Sequence, residues 1–196
     1  MTSEAAPARP ISPDEHLVFS PTIEGLFVQL LGPQLTPDIR RQLRDVGLDI
    51  DAKLLPAYPL RVLDAAMDVV VRTVFSHLPR EVAFARLGEM QLDAFANTLL
   101  GRAAFQFLRL VSVERFLDRL TRGWRNANNF VESRVTRVEP DVFDVWVNDV
   151  GQYPEVIGAI MRRALERLGN EVQVSVASTK DLECTYRLKV LRRLKS

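Results

Sequence analysis

The spacing of apolar residues changes near position 130, and that change dictates a mixed architecture. Downstream of it, Val131, Ser133, Val135 and Arg137 alternate with Glu132, Arg134, Thr136 and Val138. Val142, Phe143, Val145, Trp146 and Val147 follow as β-formers. Alternation of this kind puts successive side chains on opposite faces of a strand. Glu139-Pro140-Asp141 predicts the turn of a hairpin between the two runs. A second hairpin is predicted from Val172, Val174 and Val176, a turn at Thr179-Lys180-Asp181, and Cys184, Tyr186, Leu188 and Val190. Between the hairpins, residues 151–168 carry Val156, Ile157, Ile160, Met161, Ala164, Leu165 and Leu168 at helical spacing. This half therefore reads strand-strand-helix-strand-strand, with the helix covering one face of an antiparallel sheet.

Upstream the period is helical. Leu60, Leu63, Met67, Val70, Val71, Val74 and Leu78 predict one amphipathic helix after the rigid corner Leu54-Leu55-Pro56-Ala57-Tyr58-Pro59. Pro79 restarts the chain into a second long helix ending near Leu99, with Gly88 permitting close packing in its middle. A third helical region spans Gly101 to Leu120, and Ser112-Val113-Glu114 is a candidate break in it. Earlier, Thr36-Pro37 supplies an N-cap and a proline at the first helical position, and Gly47 a stop. Leu17 to Leu31 is expected to be a strand or a short strand-helix piece docked on the main body. The fold class is α+β, an N-terminal helical bundle packed on a C-terminal antiparallel sheet. Residues 1–16 are expected to form a flexible tail, 17–191 a single α+β domain, and 192–196 a basic tail.

Composition narrows the function classes. The chain has 196 residues, is 47% hydrophobic, and balances 26 basic against 25 acidic side chains. That balance argues against a dedicated nucleic-acid binder. One cysteine, Cys184, excludes an internal disulfide framework, suits a reducing compartment, and reads as a small buried hydrophobe in its strand. No apolar run reaches about 18 residues, so no membrane span is expected, and the first residues lack a secretory signal pattern. The expected location is the cytoplasm. The basic end, Lys189 to Lys195, suits either an anionic surface or a strand exit kept soluble by charge.

No catalytic or metal motif emerges. Two histidines and one cysteine do not make a zinc set. A nucleophile elbow and a phosphate-cradling glycine loop are both lacking. The best candidate is the corner joining the two halves. Arg115, Arg119 and Arg122 fall on one helix face, and Arg125, Asn126, Asn128 and Asn129 follow. Arginine forks with asparagine amides suit a phosphate or carboxylate ligand. The same residues also suit a purely structural helix-to-strand corner. Arg102, on an otherwise apolar stretch, needs a partner if it points inward, and Asp149 or Asn148 is the expected one. The candidate ligand-binding residues are thus Arg102, Arg122, Arg125, Asn128 and Asn129.

Gly25-Leu26-Phe27, Leu54 to Pro59, Thr98-Leu99-Leu100-Gly101-Arg102, Asn128-Asn129 and Trp146-Val147-Asn148-Asp149 together resemble a paralogous family of uncharacterised proteins expanded in myxobacteria. The resemblance covers residues 22 to 190. The layout is also similar to a wider fold group that holds haem-based nitric-oxide sensors, 4-vinyl-reductase-like ligand-sensing domains and the TRAPP tethering subunits. This resemblance implies a sensing or assembly module, often dimeric, with a pocket between helices and sheet. It raises the question of haem, which needs an axial ligand on a pocket-facing helix. His77 is expected at a helix end and His16 near the tail, and the gas sensors' Tyr-x-Ser-x-Arg clamp is missing. No cofactor is therefore expected. The reading is a non-enzymatic regulatory module of a bacterial signalling system, homodimeric and binding a partner protein. The alternative is a sensing domain for a small apolar or anionic ligand.

Overall fold

The computed structural model describes residues 12–193; of the tails expected over residues 1–16 and 192–196, residues 1–11 and 194–196 lie outside the described residues, and Pro13–Glu15 forms a 3-10 turn. The amino-terminal strand β1 (Leu17–Phe19) pairs antiparallel with β2 (Ala57–Pro59), which fastens it to the proline-rich corner. Helix α1 (Ser20–Ile23) runs into a wide π-turn, Glu24–Leu30, that buries Ile23, Leu26 and Phe27. Helix α2 (Pro37–Asp45) starts as expected, with the Thr36 hydroxyl accepting from the Ile39 N–H at 3.4 Å.

Two boundaries differ from those the sequence predicts. Helix α3 (Leu60–Thr73) stops well before Leu78, because the residue ahead of Pro79 disfavours helical backbone and the chain turns instead. Helix α4 (Arg80–Asn97) ends at Thr98, which both closes it and opens α5 (Leu99–Leu108). The Thr98 hydroxyl donates to the Phe95 carbonyl at 2.7 Å and accepts from the Gly101 N–H at 2.9 Å. A Cβ on Gly101 would overlap the Phe95 carbonyl oxygen, so the elbow is as tight as backbone allows. The suspected break is real: α5 ends at Leu108, and α6 (Val113–Gly123) follows.

The sheet order is β3-β4-β6-β5, all antiparallel, with β3 (Ser133–Glu139), β4 (Val142–Val147), β5 (Asn170–Lys180) and β6 (Glu183–Arg193). Facing pairs Val145–Tyr186, Val147–Cys184 and Phe143–Leu188 share the buried face. On the other face Asp144 lies opposite Arg187 and takes both its Nε and Nη2 at 2.8 Å. The second turn falls at Asp181, whose φ of 53° is left-handed, so β5 runs through the expected turn residues to Lys180. Arg192 and Arg193, assigned above to a basic tail, belong to β6 and pair with Glu171 and Asn170. Cys184 is buried, and burial pushes its thiol up.

Helix α7 (Pro154–Arg167) lies across the sheet and crosses α4 at Gly88, where a Cβ would overlap the Val156 carbonyl oxygen. Asp93 locks the crossing by accepting from Arg163 Nε at 3.0 Å and Arg167 Nε at 2.8 Å. Burial works to raise this carboxyl, but the two arginines hold it below its usual range. One continuous core thus runs from Phe27 and Phe84 through Met161 to Tyr186.

Candidate functional site

The joint between the halves is built by asparagines. Asn128 is buried, and its Oδ1 accepts from the Val131 N–H at 2.8 Å and the Phe130 N–H at 3.3 Å. The Asn129 side chain reaches the amino-terminal segment instead, accepting from the Leu17 N–H at 2.8 Å and donating to the Glu15 carbonyl at 3.0 Å. Asn148 closes the far side by accepting from the Glu132 N–H at 2.7 Å and donating to the Phe130 carbonyl at 3.0 Å. These short polar side chains satisfy backbone groups at a corner where no ladder can.

His16 completes the joint. Expected in or near the tail, it is instead buried, stacked on Phe130 at 4.3 Å, with Nδ1 3.3 Å from Asp149 Oδ2. Asp149 Oδ1 accepts from the Gly151 N–H at 2.8 Å. The expected tie from Arg102 to Asp149 or Asn148 is not made. Arg102 is exposed and donates to the Asn97 carbonyl at 2.6 Å, because α5 docks on α4 with this side chain turned to solvent. Arg122 and Arg125 are exposed as well.

Beside the joint lies a cavity of about 80 Å³. Val18, Leu63, Met67, Phe130, Val156 and Ile160 give it apolar walls, and Asp64, Asp149, Trp124 and Tyr153 also line it. It sits between α3, α7 and the joint, and strands β3 to β6 contribute nothing to its lining. Of the five candidate residues only Asn128 reaches it. Its ionisable groups are acidic, which disfavours an anionic ligand at this cavity. A second depression of about 240 Å³, lined by Ala85, Gly158, Arg162, Val174 and Tyr186, lies between the helices and the sheet, where the resemblance implies a pocket.

The carboxylates explain the electrostatics. Asp64 and Asp68 stand one turn apart on α3, near Asp149. Burial, then the charges of Asp149 and Asp68, raise the Asp64 carboxyl to about 6. Asp68 is better provided, accepting from the Tyr153 hydroxyl at 2.6 Å and lying 3.0 Å from Arg80 Nη2. Burial and this carboxylate push the Tyr153 phenol above its usual value. Tyr153 stacks on Phe84 at 3.8 Å, and Arg80 lies over both rings. The buried Trp124 Nε1–H has no hydrogen-bond partner among the described residues. Sequence reasoning missed Asp64, Asp68 and Tyr153. The four-residue spacing of two carboxylates on a mostly apolar helix was the available signal; nothing local marked His16.

Among the described residues no group of three or more His, Cys, Asp or Glu is placed to hold a metal ion, and no helix is long and apolar enough to cross a membrane. The family model "Protein of unknown function (DUF2378)" matches residues 16–189. The chain belongs to the DUF2378 family. A comparison of this DUF2378 chain with curated proteins finds no match. Solved structures do match its fold. A double variant of the Tt H-NOX protein superposes with a TM-score of 0.64 at 13% identity, over 90% of this chain and 97% of that one. An H-NOX protein from S. oneidensis in its Fe(II)NO ligation state gives 0.63 at 10% identity, over 88% and 99%. A structure from a study of haem distortion in the H-NOX family gives 0.61 at 14%, over 89% and 96%. The DUF2378 chain therefore has an H-NOX-like fold, which bears out the resemblance to the nitric-oxide sensor group.

Proposed function

We propose that this chain is a small-molecule-sensing domain whose ligand occupies the cavity beside Asp64 and Asp149, without haem. The fold supports sensing, since the similar structures are H-NOX proteins. The site does not fit the porphyrin those proteins are studied for. At about 80 Å³ the cavity is smaller than the roughly 150 Å³ that holds a single benzene. No histidine lines it. His77 is exposed in the turn after α3, and His16 is spent on Phe130 and Asp149.

The observation that carries the reading is Asp64, a half-buried carboxylate at an apolar cavity with no hydrogen bond or ion pair among the described residues. It is part-exposed, so a guest entering the cavity meets it directly. Its complement is a compact guest with an apolar body and a cationic or strongly donating end. Binding, not turnover, is the activity we assign. The output passes to a partner protein, with a homodimer as the working state. Buried Cys184 accords with a reducing compartment such as the cytoplasm.

Titration calorimetry with ethylammonium and with acetate tests this. The amine is expected to bind wild type and to lose about tenfold or more in Asp64→Asn. Equal binding of acetate, or an amine affinity unchanged in Asp64→Asn, overturns it.

A further inference from the structure

Helix α5 is apolar on two sides, and only one of them is covered. It packs on α4 through Gly101, with Phe105 and Leu108 partly buried behind it. The other side is bare: Leu99 is 79% exposed, Leu100 73%, Phe107 53%, and Leu110 just beyond it 83%. At helical spacing Leu99, Leu100, Ala103 and Phe107 form one stripe about 100° wide. Arg102 and Arg109 flank the stripe on one side. On the other, Arg119 of α6 lies over the Phe107 ring at 4.8 Å, in the row it shares with Arg115 and Arg122. All of these arginines are exposed. Between Leu99 and Arg125 the chain carries six arginines and two carboxylates, against a whole-chain net charge of +1. Positive charge is thus concentrated around this stripe.

We propose that the α5–α6 hairpin docks on an anionic lipid bilayer surface, with the α5 leucines and Phe107 entering the headgroup boundary and the arginines on both flanks engaging lipid phosphates and carboxylates. The pairing of an apolar stripe with flanking basic residues is what such a surface selects. A second copy fits less well. The face of a ten-residue helix is about 15 Å by 10 Å, far below the roughly 800 Å² per partner of a stable interface. Symmetry would also set arginines against arginines. A fluid anionic surface meets basic flanks on both sides without a shaped groove. The tight Thr98–Gly101 elbow holds the stripe outward.

Co-sedimentation of the full chain with phosphatidylcholine vesicles, with and without about one-third phosphatidylserine, tests the proposal. Binding is expected only to the anionic vesicles, falling steeply with salt. Leu99→Ser/Leu100→Ser and Arg109→Glu/Arg122→Glu are each expected to lose about tenfold or more while keeping wild-type circular dichroism and melting, since every altered side chain is exposed. The proposal is overturned by equal binding to neutral vesicles or by full binding in either folded variant. An absence of vesicle binding overturns it too, whether the protein is then monomeric or forms a dimer that the leucine variant dissolves. None of these outcomes depends on the cavity holding a ligand.

Discussion

The Tyr153 hydroxyl donates to Asp68 Oδ2 at 2.6 Å, and this bond joins the start of α7 to the middle of α3 beside the cavity that Tyr153 lines. Tyr153→Phe keeps the ring on Phe84 and deletes only the donor. A hydrogen bond to a charged acceptor contributes about 1.5–3 kcal/mol. Urea unfolding is expected to show a loss in that range with an unchanged slope.

Asp64 sets a pH dependence. Its folded carboxyl is raised to about 6 from an ordinary 3.8, so the folded state binds the proton more tightly than the unfolded chain. Stability therefore falls as pH rises from about 4 to about 6 and is level above that. Asp64→Asn removes the cost. The variant is expected to be more stable than wild type at pH 7.5 by up to about 2 kcal/mol, and no more stable near pH 4, in paired denaturation curves.

The α4–α7 crossing admits no side chain at position 88. Gly88→Ala must push the Val156 backbone away and loosen the Asp93 clamp. Overpacking of this kind costs about 1–3 kcal/mol or more. Differential scanning calorimetry is expected to show a melting point lowered by several degrees.

Asn129 and Arg125 separate structure from decoration at the joint. Asn129→Ala leaves the Leu17 N–H without its acceptor, and about 1–2 kcal/mol of stability with faster hydrogen exchange at Leu17 is expected to be lost. Arg125→Ala, on an exposed side chain, is expected to stay within about 0.5 kcal/mol of wild type.

The architecture was legible wherever a pattern is local. Alternation from Val131 onward, the Thr36-Pro37 start and the role of Gly88 each depend on near neighbours, and each appears in the fold. The ends of α3 and α4 were not, because Leu78 and Leu99 keep the helical spacing while Pro79 and Thr98 break the backbone. The site was less legible still. The arginine row at positions 115, 119 and 122 does share one face, but periodicity cannot tell a face turned to solvent from one turned to a ligand. Asn128 was found for its backbone preference and lies on the cavity. His16 meets Asp149 and Phe130 only because β1 folds back on the joint, and no neighbouring residue announces that.

Phe130 borders the cavity and carries the His16 imidazole flat against its ring. A guest that displaces the ring displaces the imidazole with it, and loosens the hold on β1 that Asn129 shares. Occupancy of the cavity would then reach β1 through the Phe130–His16 stack.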